Sequence, residues 1–213
     1  MARVPQALSI ARDKPAGTIR IYVLGESAAY GDPQPRYGLA RVLEAMLALR
    51  HPGMRFEVVN AAMTAINSHA VLPIAQDCGR AGGDIWVVYI GNNEVVGSFG
   101  ASGVFGSQAL PLPLIRASLA LKTTRTGQCL ERVIEATRRR PADQSEWGGM
   151  EMFLGQKVRA DSPAMEAVYR NFQRNLADIL RTGGKREVGI VLSTIKAKMR
   201  HKLDEIGYEG PED

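Results

Sequence analysis

Cysteine is scarce in this chain. Only Cys78 and Cys129 occur among 213 residues, and neither has another cysteine or a histidine at ligand spacing. A disulfide framework and a sulfur-ligated metal are both excluded by that scarcity. Long apolar runs are missing too: no stretch approaches the roughly 20 apolar residues that a membrane span requires. The opening MARVPQALSIARDKPAG has no apolar core of a secretory signal, so a cytoplasmic protein without a membrane span is the expectation. The segment GESAAYGD lacks the glycine pattern of a dinucleotide loop or a P-loop. A Gly-x-Ser-x-Gly elbow is excluded at Ser27, because position 29 is Ala29. There is no internal repeat.

What is present is the balance of one globular domain: 45% apolar and 23% charged residues over a length able to bury one core. The formal charge is +5 and the pI about 9.4. Lys and Arg are nevertheless dispersed, and the one run, Arg138 to Arg140, falls where cations complement the end of an apparent helix. Nucleic acid is therefore not an expected partner.

The pattern alternates strand and helix. Thr18 to Leu24 (TIRIYVL), Arg55 to Val59, Asp84 to Ile90 (DIWVVYI) and Glu187 to Ser193 (EVGIVLS) read as strands, the third being apolar enough for the centre of a parallel sheet. Helix periodicity runs over Tyr37 to Leu49, Ser68 to Cys78 with Asn67 or Ser68 as cap, Gln128 to Arg140, and Ser162 to about Arg181, stopped by Gly183 and Gly184. The Gly-, Ser- and Pro-rich segment from Gly97 to Pro113 reads as an irregular loop. Residues 145–158 (SEWGGMEMFLGQKV) combine Trp147, Met150, Met152 and Phe153, and read as a satellite apolar cluster or a flexible flap over a ligand site. This order predicts a three-layer α/β sandwich on a parallel sheet with right-handed crossovers. Residues 1–17 read as a leader or linker, 18–195 as the domain, and 196–213 as a divergent charged tail.

Ligands of open parallel sheets sit beyond the carboxyl ends of the strands. Those ends carry GES (Gly25 to Ser27), NAAMTA (Asn60 to Ala65) and GNNE (Gly91 to Glu94). A serine directly after a strand, with Gly25 permitting a tight turn, can present its hydroxyl to a substrate. Asn93 and the backbone N–H groups of Ser27 and Ala62 form a candidate three-donor cradle for an oxyanion. Asn92 and Glu94 are expected to hold their loop by local hydrogen bonds.

In order and spacing, VLGES, VVNAAMTA and VVYIGNNE resemble the first three sequence blocks of the SGNH hydrolases, also called GDSL-like esterases and lipases, over roughly residues 18 to 195. The long helix with VYRNFQRNLADIL and the strand after it fit that layout. The resemblance implies a flavodoxin-like α/β/α sandwich and an ester hydrolase for lipid, carbohydrate or small acyl esters, with no metal or organic cofactor. It assigns Ser27 as nucleophile and Asn93 as the oxyanion-hole asparagine, with Gly91 and Glu94 around it.

Two positions depart from the family pattern. Ala62 stands where a glycine is usual, and the late Asp-x-x-His segment that supplies the general base is not found. The candidates for a substitute base are His69, which opens the helix after the second block, and His201 in the tail; His51 is expected at the opposite end of the sheet. The missing segment also implies loss of the last strand and helix, an exposed sheet edge and a tendency to homo-oligomerise. An inactive or truncated relative, or a binding module of the same fold, is the alternative reading.

Overall fold

The computed structural model describes residues 10–11, 13–101, 110–137, 158–159 and 161–193. Four strands form one parallel sheet: β1 (Thr18–Gly25), β2 (Arg55–Asn60), β3 (Ile85–Tyr89) and β4 (Gly189–Leu192), in the order β2-β1-β3-β4. Among the described residues six α-helices accompany it: α1 (Ser27–Tyr30), α2 (Leu39–Arg50), α3 (Ser68–Arg80), α4 (Leu112–Thr123), α5 (Arg125–Thr137) and α6 (Pro163–Gly184). The protein is thus an α/β sandwich built on a four-stranded parallel sheet.

Period-two alternation sends each strand's side chains to two separate cores. On one face Tyr22 and Leu24 of β1 and Trp86 and Val88 of β3 pack with Val71, Leu72 and Ala75 of α3 and Ile179 of α6. On the other, Ile21, Val23 and Val58 pack with Ala29 of α1 and Ala40 of α2, with Leu43, Leu47, Ile85 and Val87 against them. Both central strands are covered on both sides, which is why they read as continuous apolar runs. Trp86 is fully buried, and the last turn of α6 lies so close to it that a Cβ at Gly183 would come within 3.1 Å of its ring. That contact fixes the approach of α6 to the sheet.

Several elements differ from expectation in extent. The helix α4 begins inside the expected loop, at Leu112, and runs on through a stretch for which no element was expected, and α5 begins at Arg125 rather than Gln128. Pro113 sits in the first turn of α4, where a missing N–H costs nothing. The α6 cap is the expected one: Ser162 Oγ accepts from Met165 N at 3.3 Å. Residues 10 and 11, read above within a leader, are tied to the domain. Ile10 packs against the first core, and the carbonyl of Ala11 accepts from the buried Arg20 guanidinium at 3.0 Å. Arg20 also bonds Glu57 Oε2 at 2.6 Å and the Ala81 carbonyl at 2.9 Å. Among the described residues no strand pairs with the outer side of β4, whose Val191 and Leu192 are exposed.

Candidate functional site

The sheet order makes the site. From β1 the chain crosses to β2 on one side and then to β3 on the other, so the carboxyl end of β1 lies at a topological switch point. In register, Val23 pairs with Asn60 and Gly25 with Tyr89, so the three strand ends that carry GES, NAAMTA and GNNE finish together. Past the strands, Ala61 N donates to Val23 O at 3.0 Å and Met63 N to Gly25 O at 3.2 Å, which docks the second segment on the first.

Glu26 joins the first segment to the third. Its carboxylate is fully buried and accepts from Gly91 N at 2.9 Å and Asn93 N at 2.8 Å. The residue before Ser27 therefore holds the backbone of Asn93 directly, across 67 positions of sequence. Sequence reasoning quoted Glu26 within GES without giving it a task; its signal was a charged residue set between an apolar strand and a small helix.

Ser27 is the first residue of α1 and half-buried. Its backbone N–H has no acceptor within the helix, and its hydroxyl has no hydrogen-bond partner among the described residues. Gly25 is required by close approach: a Cβ there would fall 2.4 Å from both Ala29 Cβ and the Tyr89 carbonyl oxygen. Gly25→Ala is expected to cost about 2 kcal/mol by overpacking, measurable as a lowered urea midpoint with unchanged slope. A midpoint equal to wild type would show that β1 and β3 tolerate separation here.

The proposed oxyanion donors are partly engaged. Asn93 Nδ2 donates to Ile66 O at 2.8 Å, which fixes the side chain and leaves its second N–H uncommitted. Ala62 N donates to Asn60 Oδ1 over a long 3.3 Å. The left-handed residue of this segment is Ala65, at φ 60°, and not Ala62, so a side chain at position 62 introduces no backbone strain.

Glu94 does not act locally. It is buried, and its carboxylate accepts from Ser68 N at 2.7 Å and Ser68 Oγ at 2.9 Å. It caps α3 from another loop, because Asn67, the residue at the cap position, makes no side-chain cap bond. Asn67 Nδ2 instead holds the Ser98 carbonyl at 2.7 Å. Asn92 contributes no local side-chain bond either: its Nδ2 is buried without a partner among the described residues.

His69 is also buried. Its Nδ1 lies 3.0 Å from Asn175 Nδ2, and its ring meets Phe99 edge-on with centroids 5.6 Å apart. Because an amide nitrogen only donates, Nδ1 accepts and the neutral ring carries its proton on Nε2. Asn175 Nδ2 also reaches Ser68 Oγ at 3.0 Å, and its Oδ1 accepts from Arg116 at 2.9 Å. Glu94, Ser68, Asn175 and His69 thus form one buried polar chain, with the half-exposed Arg116 at its outer end, and the charge of Glu94 acts on the Glu26 carboxyl beside the Ser27 loop. No hydrogen bond joins His69 to Ser27. His51 is exposed at the end of α2, while His201 and residues 145–157 lie outside the described residues. Asn175 was legible only as a polar residue on the apolar face of α6, in step with Val168, Asn171 and Ile179.

Burial pushes the Glu26 carboxyl up to about 7, opposed by its bond from Gly91 and reinforced by the charge of Glu94. Glu94 is raised by burial too, against its two bonds from Ser68. Burial, with the charge of Arg116, lowers His69 to about 4. The signs oppose each other. Stability held by neutral His69 is complete above its unfolded value near 6.5 and is lost as pH falls toward 4; stability held by protonated Glu26 is complete below about 4.5 and is lost as pH rises through 7. Between pH 5 and 6.5 the His69 contribution offsets part of what the two buried carboxyls gain on acidification, so His69→Gln, left with Glu26 and Glu94, is expected to gain more urea midpoint on acidification than wild type. Parallel profiles for the two proteins would contradict a buried neutral His69.

Fold and site together define an α/β protein with a serine at the switch point of a parallel sheet and a buried carboxylate clamp behind it. No family model and no curated protein matches the chain. Among solved structures it is similar to AlinE4, an SGNH-hydrolase family esterase, at 15% identity over 93% of this chain and 88% of that one, with a TM-score of 0.38. It is also similar to the acetyl xylan esterase AlAXEase at 13% identity, 90% and 87% coverage and a TM-score of 0.41. A third is TesA, at 12% identity, 88% and 97% coverage and a TM-score of 0.36. At such identities and TM-scores, the reading of this chain rests on its own residues.

Proposed function

We propose that the chain is a serine ester hydrolase of SGNH type acting on small acyl esters, with lipid and carbohydrate esters as the wider class. The observation that carries this reading is the Glu26 clamp, which supports placing Ser27 and Asn93 at one site. Ser27 Oγ attacks the acyl carbonyl. The oxyanion that develops is met by the N–H of Ser27, the uncommitted N–H of Asn93 and the N–H of Ala62, which must leave its long bond to Asn60. Collapse expels the alcohol, and water then hydrolyses the acyl-serine.

The serine proton passes to a general base, which returns it to the departing alcohol. His69, held neutral, is the candidate among the described residues, and His201 is the second. A non-hydrolytic reading is favoured by one specific observation: the Nδ1 of His69 is already occupied by Asn175. In that reading the same site binds an acyl ester without turning it over. The two are separated by hydrolysis of p-nitrophenyl acetate by the full chain and by Ser27→Ala. Turnover lost in the variant supports the hydrolase, and equal rates support the binding protein. The exposed outer side of β4 supports self-association as part of this proposal, which light scattering tests; a monodisperse monomer would refute it.

A further inference from the structure

Between α4 and α6 lies an open groove of about 450 Å³, the size of a small-molecule site. Its apolar lining comes from Leu112, Pro113 and Ala177. Its charged lining is Arg116, Arg174 and Arg181 against the one carboxylate of Asp178. Three guanidinium groups and one carboxylate leave two positive charges in excess.

The distribution of that excess matters. Asp178 Oδ2 accepts from Arg116 at 2.6 Å and its Oδ1 from Arg181, so one internal carboxylate already bridges two of the arginines. Arg174 is exposed and makes no ion pair among the described residues. The Nε of Arg116 is buried, again without a hydrogen-bond partner among the described residues. A buried donor without an acceptor is unfavourable, and a guanidinium is a planar fork suited to carboxylates. The groove therefore presents the uncommitted guanidinium of Arg174 and the exposed one of Arg181 beside an apolar wall.

We infer that this groove binds a small amphipathic carboxylate, its head taken by Arg174 with Arg181 or Arg116 and its hydrocarbon body laid on Leu112, Pro113 and Ala177. A monoanion fits better than a polyphosphate or nucleic acid, because Asp178 repels additional charge and much of the lining is apolar. The site does not depend on the assignment of Ser27, and neither proposal needs the other.

The test is calorimetric titration of the full chain with sodium octanoate, kept below its micellar concentration, beside 1-octanol and sodium acetate. Octanoate is expected to bind saturably at one site and to weaken with added salt; octanol, which lacks the charge, and acetate, which lacks the body, are each expected to bind about tenfold or more weakly. Arg174→Glu, a surface change, is expected to weaken octanoate about tenfold or more, and Ala177→Trp to do the same by filling the groove. Both variants are checked for an unchanged melting temperature. The inference is overturned if octanoate does not bind, if it binds no better than octanol, or if both variants retain wild-type affinity. That last result would place the ligand elsewhere, including at the Ser27 site.

Discussion

Replacing Ser27 with alanine is expected to bring p-nitrophenyl acetate hydrolysis down to the rate without protein, a loss of about 10³-fold or more, because the proposed acyl intermediate forms on its hydroxyl. Asn93→Ala is expected to retain the nucleophile and lose about 10²-fold in kcat, the effect of one oxyanion donor. The pH dependence then identifies the base. With His69 held near 4, a reaction that uses it reaches its plateau by about pH 5 and stays level through pH 8. A rate that keeps climbing tenfold per pH unit assigns proton removal to hydroxide from solvent and takes His69 out of the mechanism. Equal rates for wild type and Ser27→Ala would leave the ester-binding reading in place.

The largest loss of stability is expected at Asn175. Its side chain is fully buried and serves three partners: it donates toward Ser68 Oγ and His69 Nδ1 and accepts from Arg116. Leucine keeps the branching at Cγ but is larger, so Asn175→Leu adds some overpacking to the lost hydrogen bonds. It leaves His69 Nδ1 without a donor and removes one partner each from Ser68 and Arg116. Stranded buried polar groups cost about 1–3 kcal/mol each. Ser68 keeps Glu94 and Arg116 keeps Asp178, so a total of about 3 kcal/mol is expected, or roughly 6–12 °C in Tm for a chain of this size. A melt within 2 °C of wild type would mean that the polar chain is not closed as described.

Asn175→Asp distinguishes a structural role from an electrostatic one. Its carboxylate beside His69 is expected to raise the imidazole from about 4, seen directly in the pH titration of the ring protons by NMR. An unmoved titration would separate the two side chains.

Much of this architecture is legible along the chain because its causes are local. Continuous apolar runs mark β1 and β3, the 3.6 period marks α2 and α3, and Ser162 with Pro163 opens α6, each a pattern that operates over one or two turns or a few strand residues. The positions of Ser27 and Asn93 at strand ends were legible for the same reason. Failure came where local signals conflicted. The start of α4 was hidden by Pro111 and Pro113, residues that break a helix in its interior and are tolerated at its first turn.

What only the tertiary structure decided is which polar groups meet. Glu26 and its two N–H donors are 65 and 67 positions apart, Glu94 and Ser68 are 26 apart, and Asn175 and His69 are 106 apart. No local periodicity encodes such distances; they close because the order β2-β1-β3-β4 sets β1 beside β3 and because α3 and α6 share one face of the sheet. A carboxylate can serve as a cap, a clamp or a solvated surface charge. Burial, which the packed sheet imposes and a short stretch of sequence does not, determines that Glu94 is the first and Glu26 the second.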